Sequence, residues 1–74
     1  MSDTSARDRY LAALMSHVAE DQYPSATQMR HIETMLDRDQ IEDYLGVLID
    51  KIAEDRYPSV PMMQRIEKLL DDLR

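Results

Sequence analysis

Cysteine, tryptophan and phenylalanine are absent from this chain, and glycine occurs once, at Gly46. Without cysteine there can be no disulfides and no thiolate metal sites. One glycine and three prolines in 74 residues argue against a turn-rich all-β fold and for long helices. The apolar content leans on Leu, Met and Ala, whose side chains keep their rotamer freedom in a helix, and the six methionines suit adaptable packing. Long apolar runs are missing as well. The longest, Leu45 to Ile49, contains Gly46 and falls far short of the ~20 residues that span a bilayer. The opening MSDTSARDRY has neither the basic start nor the apolar run of a signal peptide, so a cytoplasmic location is expected, with no membrane contact.

Basic residues are also in deficit. Nine Lys and Arg stand against fifteen Asp and Glu, a formal charge of -6. Direct nucleic-acid binding is therefore not expected, because phosphate contacts need clustered cations, whereas a basic protein partner is. A single domain over residues 1–74 is expected to hide only roughly 60% of the surface its unfolded chain exposes. Helix packing and oligomerisation remain as the supports available to it.

What the sequence does contain is a duplication. A shift of 34 residues lays Tyr10, Leu11, Leu14, Ala19, Glu20, Asp21, Tyr23, Pro24, Ser25, Met29, Ile32, Glu33, Leu36 and Asp37 on identical residues from Tyr44 to Asp71. Chance would supply about two such matches, and self-similarity on this scale marks one supersecondary unit used twice. The units run from about 7 to 38 and from about 41 to 74. In each, the first half has helical apolar spacing: Leu11, Leu14, Met15 and Val18, then Leu45, Leu48, Ile49 and Ile52. Met29, Ile32 and Leu36, then Met63, Ile66, Leu70 and Leu73, mark a second helix in each.

Capping chemistry places the joints. Pro24 and Pro58 push Tyr23 and Tyr57 out of helical backbone space, and Ser25 and Ser59 are placed to cap the helices that follow, with Gln28 completing a capping box. Between the units, Asp39 and Glu42 have capping-box spacing. This favours a fresh helix start near Gln40, hence a small all-α four-helix bundle, over one continuous helix. Thirty-four residues is also the length of a tetratricopeptide repeat, but that pattern's small and aromatic positions are missing.

Chemistry is scarce. His17 and His31 give way to Lys51 and Arg65 in the second unit, so basic character persists and imidazole does not. Glu-x-x-His metal spacing and glycine-rich phosphate loops are lacking. An enzyme is not expected, nor a metal or cofactor. The acidic joints AEDQYPS and AEDRYPS stand out instead. Glu20, Asp21, Glu54 and Asp55 end their helices where the macrodipole disfavours negative charge. In an up-down-up-down bundle both joints would lie at one end, with Tyr23 and Tyr57 among the carboxylates. The tyrosines either fold back over the bundle end or form an interface.

The third helix carries more apolar positions than one stripe needs, so Tyr44, Gly46 and Val47 are expected to meet a second copy in a homodimer. The function expected is a non-catalytic protein-interaction or assembly module. The alternative is an acidic inhibitor or immunity-type protein that blocks a basic active or nucleic-acid-binding site.

Overall fold

The computed structural model describes residues 5–73. All regular structure among them is helical: α1 (Ala6–Glu20), α2 (Ala26–Met35), α3 (Arg38–Glu54) and α4 (Val60–Asp72). The chain divides into two compact units between Met35 and Leu36, a little ahead of the boundary near residues 38–41 that the repeat suggests. In the first unit α1 packs on α2, and in the second α3 packs on α4.

Each helix starts on a side chain that satisfies otherwise unpaired amides. Ser5 Oγ accepts from the Asp8 N–H at 3.1 Å, Ser25 Oγ from the Gln28 N–H at 3.3 Å and Ser59 Oγ from the Met62 N–H at 3.1 Å. Proline within the first turn of α4 loses no helical hydrogen bond there. The break between units is real, but its cap differs from the expected one. Asp37, not Asp39, is the N-cap of α3, and Gln40 Oε1 accepts from the Asp37 N–H at 3.0 Å. A Gln at the third helical position does this as well as a Glu, and the Asp37–Gln40 pair sits two residues ahead of Asp39–Glu42.

The buried residues are Leu11 and Val18 of α1, Met29 and Ile32 of α2, Tyr44, Leu45 and Leu48 of α3, and Ile66 and Leu69 of α4. Leu14 and Met15 are half-buried. Two expected core residues turn outward: Ile49 is 47% exposed and Leu70 49%. In α4 the inward row is Met62, Ile66, Leu69 and Leu73, an i, i+4, i+7, i+11 series, so Leu69 takes the place expected for Leu70. No buried side-chain oxygen or nitrogen among the described residues lacks a hydrogen-bond partner.

The units differ at their open ends, away from the joints. Tyr10 and Tyr44 stand 34 residues apart, yet Tyr10 is 54% exposed and Tyr44 fully buried. Both lie eleven residues before the aspartate that ends their helix, or about 16 Å along the axis at 1.5 Å per residue. The ten residues of α2 span about 15 Å and the thirteen of α4 about 20 Å. Tyr44 is therefore level with the last turn of α4, while Tyr10 reaches past the end of α2. An arginine strengthens the second closure: Arg38 Nη2 donates to the Leu73 carbonyl at 3.0 Å, placing a cation where the α4 dipole is negative.

Burial and closure both favour the second hairpin, so its central amides should open last. In native-state hydrogen exchange, amides around Leu45–Leu48 and Ile66–Leu69 are expected to outlast those around Leu11–Leu14 and Met29–Ile32. Equal or reversed protection would show that the closure at Tyr44 and Arg38 adds no stability.

Candidate functional site

The two joints are built alike at the aspartate that ends each first helix. Asp21 ends α1 at φ −85°, ψ 128°, and Asp55 ends α3 at φ −88°, ψ 130°. Their amides still close the helix, on the His17 carbonyl at 3.0 Å and the Lys51 carbonyl at 3.1 Å. Their side chains then reach forward. Asp21 Oδ1 accepts from the Tyr23 N–H at 3.3 Å, and Asp55 Oδ1 from the Tyr57 N–H at 3.2 Å. This is an Asx turn, in which the carboxylate mimics a backbone carbonyl two residues ahead of the amide it receives.

The turn explains half of each acidic pair. A carboxylate at a helix C-terminus is opposed by the dipole, but here it holds an amide that Pro24 or Pro58 prevents from continuing the helix. His17 and Lys51 stand in the last turns, and the Lys51 ammonium is a charge that a helix C-terminus favours. Glu20 and Glu54, exposed one residue earlier, have no such local duty.

With its amide held by Asp and its carbonyl followed by Pro, each tyrosine is fixed at the backbone and projects outward. Tyr23 is 76% exposed and Tyr57 81%, so neither ring folds back over its hairpin end. Glu20, Asp21, Glu54 and Asp55 are exposed as well. The surroundings of the two rings differ in three places. Gln22, Ala26 and Thr27 flank Tyr23, where Arg56, Val60 and Pro61 flank Tyr57. Val60 is 57% exposed, so the second joint shows more apolar surface.

The expected self-association surface separates into its parts. Tyr44 is buried within its own hairpin. Val47 is half-buried and Gly46 exposed. A Cβ built on Gly46 would meet nothing within 4 Å, so packing inside the chain does not require a glycine there.

A feature that composition alone does not reveal surrounds Gly46. Asp39, Glu42, Asp43, Asp50 and Glu54 are all exposed, and their spacing places them within about a third of the circumference of α3. The signal lies in residue spacing along α3, on the side of the helix opposite its apolar stripe. The histidines do not gather with other ligands: His17 and His31 are both exposed, and among the described residues no three His, Asp or Glu side chains converge as a metal site would require. No helix among the described residues is long and apolar enough to cross a membrane.

Two expectations follow. Replacing Asp21 and Asp55 by Asn keeps an acceptor for the tyrosine amide, whereas Ala removes it at about 0.5 kcal/mol or more per joint. The double Ala variant should show the lower denaturation midpoint and the double Asn variant should stay near the parent. Equal losses would show that charge, not the turn, matters. Gly46→Ala should stabilise the chain by roughly 0.5–1 kcal/mol in the same assay, and a loss would show that α3 needs its glycine.

No protein-family model, no curated protein and no solved structure matches this chain.

Proposed function

We propose that the chain is a duplicated helical hairpin acting as a non-catalytic protein-interaction module, in which each hairpin holds one tyrosine outward for a basic protein partner. The observation that carries this reading is the repeated presentation: two tyrosines, each locked by an Asx turn and a proline, each more than three-quarters exposed. A solvent-exposed tyrosine contributes little to its own fold. Fixed in advance, it is a large amphipathic contact that loses little freedom on binding. Glu20 and Glu54 beside the rings favour a cationic surface on the partner.

The acidic-inhibitor reading has its own support in the outward face of α3. Asp39, Glu42, Asp43 and Asp50 line one side of a regular helix with Gly46 among them, a surface suited to covering a basic site. The same charges weigh against a homodimer built on Gly46. A two-fold contact there would set the carboxylates of one α3 against those of the other.

Capture of partner proteins on the immobilised full chain separates the readings. Tyr23→Ala with Tyr57→Ala should reduce retention of the bound protein at least tenfold. Neutral amides at Glu20, Asp21, Glu54 and Asp55 should weaken capture and flatten its salt dependence. If capture survives the tyrosine changes but is lost with Asp39→Asn, Glu42→Gln, Asp43→Asn and Asp50→Asn, the inhibitor reading replaces the first.

A further inference from the structure

We infer that the outward row of α1 that contains Tyr10 pairs antiparallel with the same row of a second copy of the chain. This contact is independent of the joints and lies outside the partner binding proposed for them. The repeat makes α1 and α3 equivalent, yet they differ on one face. Ala6, Tyr10, Ala13 and His17, spaced i, i+4, i+7 and i+11, lie within about a sixth of the circumference of α1. All four are exposed, Tyr10 to 54%. The same row of α3, one repeat further on, is Gln40, Tyr44, Val47 and Lys51, and there Tyr44 is buried and the other three are half-buried. A face that is covered in the second hairpin is open in the first.

Charge selects what covers it. Arg9 and Glu20 are both exposed, and their spacing sets them only about 20° apart around the helix axis, on one side of the row. Arg9 stands near the start of α1 and Glu20 at its end. Two copies of α1 laid antiparallel therefore set Arg9 of each against Glu20 of the other, whereas parallel helices would set like charges together. A two-fold axis crossing the helices near Ala13 gives this arrangement, with residue i meeting j and j meeting i. Each Tyr10 ring then lies beside His17 of the other copy. The counterparts of Arg9 and Glu20 in α3 are Asp43 and Glu54, so α3 would repel a second α3 in either orientation. A contact along one fifteen-residue helix is small for a protein interface, which makes the dimer weak and concentration-dependent.

The test is sedimentation equilibrium of the full chain from micromolar to millimolar concentration, at moderate salt that screens the net charge of -6 beyond contact range. The mass should climb from 8.7 kDa toward twice that value. Tyr10→Ala removes an exposed ring, so it should leave the far-UV spectrum unchanged while raising the midpoint of association at least tenfold. Arg9→Glu and Glu20→Arg each set like charges together at both ends of the pair, and each variant alone should stay monomeric. Both changes place charge where the helix dipole prefers it, so neither should weaken α1. Mixed in equal amounts, the two charge variants should associate again, because each altered side chain then faces its opposite. No rise in mass up to millimolar concentration would overturn the pairing, as would a rise that Tyr10→Ala leaves unchanged. Charge variants that associate alone, or that fail to associate when mixed, would overturn it too.

Discussion

The return of each hairpin on itself passes through one short-range constraint, the carboxylate of an aspartate accepting the amide of a tyrosine two residues on. The interaction is modest in energy, but it occurs where few alternatives exist. A helix must end, a proline forbids its continuation, and a serine two residues after the tyrosine must begin the next helix. Only four residues separate Asp21 from Ala26, and four separate Asp55 from Val60. Within so few residues the direction of the returning helix depends on each backbone angle. The turn fixes those angles, and the two joints agree within a few degrees at the aspartate.

The hairpins share a joint but not a far end, and the cause is helix length rather than apolar content. Leu36 follows Met35 in the first unit as Leu70 follows Leu69 in the second. The first unit has the residues to continue, yet Asp37 and Gln40 form a cap that stops α2 and starts α3. In the second unit Asp71 stands where Asp37 stands in the first, but there Leu73 follows two residues later, where the first unit has Asp39. The helix runs on to Asp72, and Leu73, half-buried, receives Arg38 at its carbonyl. Burial of Tyr44 is thus a consequence of where the chain is obliged to turn, and Tyr10 is left exposed by the same turn made early.

Much of this was legible in the sequence because it depends on neighbours along the chain. Apolar spacing marked four helices, and proline and serine marked the joints between them. The inward place of Leu69 and the burial of Tyr44 were not legible, each for a tertiary reason. Leu69 and Leu70 are adjacent leucines, and periodicity alone cannot decide which faces α3 when the packing of the hairpin is unknown. Tyr44 reads as an extra apolar position on a crowded helix, and only the reach of α4 shows that its own hairpin covers it. The aspartates of the joints were visible but read as charge. Their role as amide acceptors depends on a backbone conformation that propensities do not supply.

That change of role alters what the repeated acidic motif implies. If both carboxylates of each pair were free, the joints would be a reservoir of negative charge, and any basic surface would suit them. With Asp21 and Asp55 turned toward amides, the charge left beside each ring is chiefly a glutamate, and the exposed aromatic surface becomes the larger part of what a partner would meet. In the proposed interaction, selectivity would then depend less on net charge than on shape, with a partner offering a cation and a place for a ring together. The face of α3 lacks that second requirement, since Gly46 and Ala53 among its carboxylates give little to grip. On the proposed reading, charge there would draw a basic protein closer from a distance, while the exposed tyrosines would provide the contact that distinguishes one basic protein from another.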